Sequence, residues 1–301
     1  KKRYNEIRGD FMSISIITDQ LNQDFEKACA IARQHGFDFV EIHSLWGKTV
    51  EDLNSSEVKK VKEILNKYQL RVSNLASTIF FMAKLYPNDT ITSFNDSFYA
   101  VKGKTKDHLD AAKRALDIAV ALDSPSIRAF PFRAPENRKI IGVLDDQREI
   151  IDNLTRLIPF AKNANKKVLI ENCPHTHLPR GEMTHFIVKT INSPWLELLW
   201  DPANSVRADQ NRLASIYKKL TILEEMELIA SSIRHIHVKD YKYVEGLAKP
   251  YQHVAIGKGD LPYPAIVDYI KKSLHPPMFS LEPEVDENET LVSIDYFKSL
   301  L

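Results

Sequence analysis

Eight short β-like runs recur through this chain, and helix-length amphipathic stretches separate them almost from end to end. The runs are FMSISIIT from Phe11, FDFVEIHS from Phe37, LRVSNLAS from Leu70, SPSIRAF from Ser124, KVLIEN from Lys167, LELLWD from Leu196, IRHIHVKD from Ile233 and MFSLEP from Met278. Between them, segments such as FEKACAIARQHG, SEVKKVKEILNKY and DHLDAAKRALDIAVAL place apolar residues three or four apart, the repeat of a helix with one buried face. Strict βαβα alternation makes the strands parallel, because each crossover helix returns the chain to the same end of the sheet. Eight such units suit a closed (β/α)8 TIM barrel, and 301 residues are ample for a fold that needs about 250. The competing arrangement is an open doubly wound sheet, but no GxGxxG and no phosphate-cradling GKS or GKT follows any run. The expectation is an α/β chain forming one barrel domain over residues 1–301. Ser55 or Ser56 is expected to cap the second helix and Asp145 the fourth.

Two stretches interrupt the regular spacing. Residues 78–104 form a long polar-aromatic connection after the third strand, and 241–261 lie after the seventh, carrying His253 and Gly257-Lys258-Gly259-Asp260. Both belong to the rim where barrel enzymes keep their chemistry, and loops this long are usually lids or binding loops. The aromatics Phe80, Phe81, Tyr86, Phe94, Phe98 and Tyr99 fall in the first stretch. They could cover the apolar face of a sugar, anchor the loop or make a subunit contact.

Composition narrows the function. A formal net charge of +1 offers no basic surface for a phosphate backbone, so no nucleic-acid partner is expected. No apolar run approaches the roughly 18 residues of a membrane span, and KKRYNEIRGD has no signal-like apolar core. The only cysteines, Cys29 and Cys173, are far apart, which suggests reduced thiols and a cytoplasmic location.

At or near the C-terminal end of each of the final four strand runs stands a metal-ligand type: Glu171, Asp201, His237 and Glu282. Each ends an apolar stretch, and successive ones are about one βα unit apart. In a barrel they converge at the mouth. A lone carboxylate after a strand is more often a helix cap, and a lone histidine more often a hydrogen-bonded core residue. Four such residues on four consecutive strands favour a site. Three anions packed without a cation would repel strongly, so the cluster itself argues for one divalent metal ion. Its oxygen-rich donor set suits Mn²⁺ best, with Mg²⁺, Co²⁺ or Zn²⁺ as alternatives.

The segments IENCPHT, LLWDPANSVRAD, IRHIHVKD, VAIGKGDLPYPAIV and SLEPEV resemble the signature blocks of the xylose isomerase-like barrel superfamily, whose sugar phosphate isomerase/epimerase members carry ENxP, WDPxN, HxHVKD, GxGD and LEP runs. The likeness is close in the second half of the chain and holds only in outline in the first. It implies that Glu171, Asp201, His237 and Glu282 ligate the metal, and that Glu171 and Glu282 serve as acid and base. They would move a proton through a metal-stabilised enediolate of a small sugar, keto-sugar or sugar phosphate. A homodimer or homotetramer is common among such proteins.

Further residues are candidates for substrate binding. His235, His237 and Lys239 alternate on one strand and should all face inward. Lys239 could hold an anionic group or form a salt bridge. His175 follows the fifth strand, Asn204 and Arg207 follow Asp201, His253 precedes the GKG turn, and His43 ends the second strand. His177, Arg180 and Arg128 are weaker candidates. Glu41 reads better as structural ion pairing than as a catalyst, and Cys173 as a packed thiol rather than a nucleophile.

Three alternatives share this pattern. A dehydratase of a polyol or shikimate-like acid would use the same site. An abasic-site endonuclease of the same superfamily would need more histidines, and its usual DxxH pair is here Asp201-Pro-Ala-Asn204. A non-catalytic sugar-binding barrel would keep the fold without turnover.

Overall fold

All eight runs form strands, and they pair in parallel around a closed barrel. The structure is a computed structural model that describes residues 12–95, 98–217, 219–247, 250–272 and 276–301. Residues 1–11 of the expected domain, Phe11 among them, lie outside that range. The barrel strands are β1 (Ile14–Ile17), β2 (Phe39–Ile42), β3 (Arg71–Ile79), β4 (Ser126–Ala129), β5 (Lys167–Glu171), β6 (Leu196–Trp200), β7 (Ile233–Val238) and β8 (Met278–Leu281). Each strand pairs with its sequence neighbours, and β1 closes the ring against β8 with Ser15 opposite Ser280.

The side-chain period of two decides what lies on each side of the wall. Val168 and Ile170 of β5, Leu198 and Trp200 of β6, and Ile236 and Val238 of β7 point outward into the main apolar core. The alternate residues, Glu171, His235 and His237, are also buried, but they belong to the barrel interior. That interior is unusually polar. Ser15 Oγ donates to Ser280 Oγ at 2.8 Å, and Ser73 Oγ donates to Ser15 Oγ at 3.0 Å.

The outer helices are α1 (Phe25–Gln34), α2 (Ser55–Lys67), α3 (Thr105–Ala121), α4 (Leu144–Thr155), α5 (Ile158–Ala164), α6 (Gly181–Ile191), α7 (Pro202–Val206), α8 (Ile222–Ile229), α9 (Tyr263–Ile270) and α10 (Glu287–Leu300). Both cap expectations are off by one or two residues. Asn54, not Ser55 or Ser56, caps α2, because its side chain accepts from the amides of Ser56 and Glu57 while Glu57 bonds back to the Asn54 amide. Asp145 sits inside the first turn of α4, and it is Asp146 that accepts from the Gly142 amide, at 2.9 Å. No helix among the described residues is long and apolar enough to cross a membrane.

The 241–261 stretch holds an antiparallel hairpin, Asp240–Tyr243 against Tyr251–Val254. Its base is tied by Asp240, whose carboxylate accepts from the amides of Tyr241, Gly257, Gly259 and Leu261. A Cβ on Gly259 would sit 2.2 Å from Asp240 Oδ1, so the second glycine of the GKG run is needed for this close approach.

Candidate functional site

The four expected ligand residues meet at the C-terminal mouth. Glu171, Asp201, His237 and Glu282 each offer a donor atom, and these atoms all lie within 4.8 Å of one another. His237 Nδ1 is 3.2 Å from Glu282 Oε2 and 3.6 Å from Glu171 Oε1.

Each member is held from behind. Asp201 combines the two readings its position allows: Oδ1 caps α7 by accepting from the Asn204 amide at 2.9 Å, and Oδ2 turns to the cluster. Asn172 locks the two strand ends together, since its Oδ1 accepts from the Asp201 amide and its Nδ2 donates to the Asp201 carbonyl. Glu171 accepts from Arg128 Nη1 at 2.8 Å through one oxygen and from Asn204 Nδ2 at 3.1 Å through the other. Arg128 also donates to the carbonyls of Ser77 and Ala76, which anchors it to β3. Lys239 Nζ lies 3.1 Å from Asp201 Oδ2, 2.5 Å from Glu282 Oε2 and 3.0 Å from Glu284 Oε1.

Three buried atoms of the cluster, Asp201 Oδ2, His237 Nδ1 and Glu282 Oε2, make no hydrogen bond despite these charged neighbours. Buried polar groups are otherwise nearly always satisfied. Three atoms that face a shared point and meet only the Lys239 ammonium and one another, in a set of three carboxylates and one imidazole, fit a hard or borderline divalent ion. The electrostatics agree. Burial, with Glu171 and Glu282 nearby, pushes the Asp201 carboxyl up to about 6 even though Lys239 opposes it. Burial would also raise Glu171 and Glu282, but Arg128 and His237 hold the first below the ordinary carboxylate range, and Lys239 and His237 hold the second well below it. Burial alone would lower His237, and the surrounding Glu41, Glu171 and Glu282 keep it well above the usual imidazole value.

One layer deeper, Glu41, His235 and His237 form a second group with ligand-type spacing. Here the bonding is complete. Glu41 accepts from His235 Nε2 at 3.0 Å, from His237 Nε2 at 3.1 Å and from Asn74 Nδ2 at 2.7 Å. Its oxygens have no capacity to spare, which separates this group from the one at the mouth.

The other candidates divide by location. Arg207 donates to the Tyr241 hydroxyl at 2.7 Å and stacks over its ring, and His253 lies edge-on to the same ring with Nδ1 3.2 Å from Glu284 Oε2. The hairpin therefore brings Arg207, His253 and Lys239 to one side of the mouth. The ring of His175 lies 5.0 Å from that of Phe94. The amide of Asn204 is committed to Glu171 and to the Asn172 carbonyl. Both nitrogens of His43 are engaged, Nδ1 with Asp19 at 2.8 Å and Nε2 with the Tyr99 carbonyl at 3.2 Å, and Phe98 stacks on its ring.

His177 and Arg180 lie elsewhere: His177 pairs with Asp146, and Arg180 with Glu182. Cys173 is buried, and desolvation together with Glu171 pushes its thiol up to about 12, the behaviour of a packed residue. Phe81, Phe94 and Phe98 do gather, with Phe130 and Cys173, into a small apolar cluster, whereas Phe80 joins the main core and stacks on Phe132. Glu284 and Asn172 were missed by sequence reasoning. Their signal was position, Glu284 two residues after Glu282 and Asn172 next to Glu171. A cavity of about 880 Å³ between the 82–105 segment and α4 shares no residue with the cluster.

The family profile described as a xylose isomerase-like TIM barrel matches residues 29–300, nearly the whole chain. This protein belongs to that family. A search of curated proteins finds no match. Among solved structures, D-psicose 3-epimerase from Clostridium cellulolyticum, with D-tagatose, is similar at 12% identity over 96% of this chain and 99% of its own, with a TM-score of 0.69. The probable 3-DHS dehydratase AsbF of Bacillus anthracis is 14% identical over 95% of this chain and 99% of its own, with a TM-score of 0.68. The IOLI protein with a bound zinc atom is 15% identical over 96% of each chain, with a TM-score of 0.69. At these identities the likeness establishes the fold alone.

Proposed function

We propose that this family member is a metal-dependent isomerase or epimerase of a small carbohydrate, working by proton transfer at a carbon beside a carbonyl. The observation that carries the reading is the convergence of the unbonded Asp201 Oδ2, His237 Nδ1 and Glu282 Oε2 on one point beside Glu171. A divalent cation held by these four residues would polarise the substrate carbonyl and acidify the neighbouring C–H. Mn²⁺ suits the donor set best, with Mg²⁺, Co²⁺ or Zn²⁺ as alternatives.

The chain's own residues supply the rest. Arg128 favours the ionised form of Glu171, so this carboxylate is available as a base at neutral pH, and Asn204 fixes its other oxygen. Glu282, also beside His237 Nδ1 and oriented by Lys239, would be the second acid/base group: it would take a proton from solvent before passing it to the carbon, while Glu171 releases the abstracted proton to solvent. Arg207, His253, His175 and Lys239 bind substrate hydroxyls or an anionic group at the rim. His43 and Asn204 act through position, since their polar atoms are already used. The similarity to D-psicose 3-epimerase supports a ketose substrate. The similarity to a probable 3-DHS dehydratase favours a second reading, loss of water from a hydroxy acid after the same proton abstraction. An amide at Asn204, where the nuclease pattern has histidine, argues against the endonuclease reading.

The test is elemental analysis of protein dialysed against Mn²⁺, beside a Glu171→Gln/His237→Ala double variant checked for folding by circular dichroism. One metal per chain, lost in the variant, is expected, followed by deuterium incorporation into ketoses in D₂O. No metal in either protein overturns the reading. Loss of 18 mass units from a hydroxy acid, without exchange into ketoses, selects the dehydratase.

A further inference from the structure

His237 presents two nitrogens to two different surroundings. Nδ1 faces Glu171 and Glu282 and makes no hydrogen bond, while Nε2 lies 3.1 and 3.2 Å from the two oxygens of Glu41. A neutral imidazole carries its proton on one nitrogen only, and the partner of one nitrogen decides which. Glu41, acceptor-only as a carboxylate, requires that the proton sit on Nε2. The lone pair is then on Nδ1, on the side of the cluster.

Glu41 is itself held so that it cannot turn away. Asn74 Nδ2 donates to Oε1 at 2.7 Å, Asn74 Oδ1 accepts from Ser126 Oγ at 2.7 Å, and His235 Nε2 occupies Oε2 at 3.0 Å. Ser126, Asn74 and Glu41 come from β4, β3 and β2, so the chain of bonds crosses the barrel floor to reach β7. All of these residues are buried, and no solvent competes for their bonds.

We propose that Glu41 is a positioning residue that sets the tautomer and ring orientation of His237, making Nδ1 the metal-binding nitrogen and coupling cation affinity to the Ser126–Asn74–Glu41 relay. The inference rests on the metal reading of the mouth. It extends that reading to a residue that touches neither cation nor substrate. Such partners of ligating histidines are worth about 10- to 100-fold in metal affinity.

Glu41→Gln keeps the shape but adds an N–H₂ group that can donate to His237 Nε2, which moves the ring proton to Nδ1 and removes the ligand. Zn²⁺ affinity, measured by competition with a chromophoric chelator, should fall 10- to 100-fold in Glu41→Gln. His235→Gln removes another partner of Glu41 but leaves the His237 bond, and should stay within about 3-fold of wild type. Because Zn²⁺ is diamagnetic, ¹⁵N spectra of the histidine rings report the tautomer directly, with Nε2–H expected for His237 in the Zn²⁺-loaded wild-type protein. Wild-type affinity in a folded Glu41→Gln protein, equal losses in both variants, or an Nδ1–H tautomer in the wild type would overturn the proposal. Failure of the wild-type protein to bind Zn²⁺ would instead overturn the metal reading beneath it.

Discussion

The barrel contains two polar layers built from the same residue types, and they share one histidine. In the floor layer Glu41, Asn74, Ser126 and His235 satisfy one another completely. In the mouth layer Asp201, Glu282 and the other face of His237 leave atoms without a hydrogen bond, with Lys239 as a shared ionic partner of the two carboxylates. The floor is arranged as a stabilising network whose members would be costly to remove singly, because each loss strands a buried partner. The mouth is arranged against itself, with three carboxylates crowded together and Lys239 and Arg128 as their main counter-charges. Functional sites commonly trade stability for chemistry in this way.

The largest expected effect separates the layers by activity. Glu282→Gln removes one of the crowded anions and a proton-transfer group. Turnover should drop by about 10²- to 10⁴-fold. Unfolding free energy from urea titration should stay within about 1 kcal/mol of wild type, because Lys239 keeps Asp201 and Glu284 as partners. A large loss of stability would break the contrast.

The floor should behave in the opposite sense. Glu41→Ala strands His235, His237 and Asn74 in a dry interior, and urea titration should show a loss of about 3–5 kcal/mol. If this variant unfolds no more easily than Glu282→Gln, the floor network is not what holds the barrel interior.

A third polar cluster, outside the barrel, sharpens the comparison because it is paired as the floor is. Burial would raise Asp146, but hydrogen bonds from His177 and Arg138 hold it down from 3.8 to about 2. A carboxylate depressed in the folded state stabilises above its unfolded value and loses that contribution as pH falls through the folded one. Stability should therefore decline by about 2 kcal/mol between roughly pH 4 and pH 2 on this account. Asp146→Asn should flatten this limb of the pH–stability curve measured by thermal unfolding. An unchanged limb would assign the acid sensitivity to other carboxylates.

The strands and the four mouth residues were legible because both are written in local pattern. Val168, Leu169, Ile170 and Glu171 alternate outward and inward by the geometry of a strand, and a ligand-type residue at a strand's end has one place to go in a barrel. The hairpin after β7 was less legible. Its base depends on Asp240 reaching Gly257 and Gly259, a contact that no alternation of apolar and polar residues announces.

Helix caps were misplaced by a residue or two because several neighbouring Ser, Asn and Asp side chains have similar capping ability. Only the path of the chain into α2 selects Asn54 over Ser55. His43 and Asn204 show a related gap, for residue type announces what a side chain can bond and not whether that capacity has been spent.

The sequence by itself determined the order of strands and helices, the inward face of each strand and the four ligand-type residues at or near the ends of the last strands, because these follow from periods of two and 3.6 along a single chain. The tertiary structure alone decided the pairings across the barrel. Glu41 meets His237 nearly two hundred residues later, and Arg128 meets Glu171 from the adjacent strand, because closure and register bring those side chains to one level. The nitrogen of His237 that faces the cluster is set by those cross-barrel bonds, and no local pattern carries that choice.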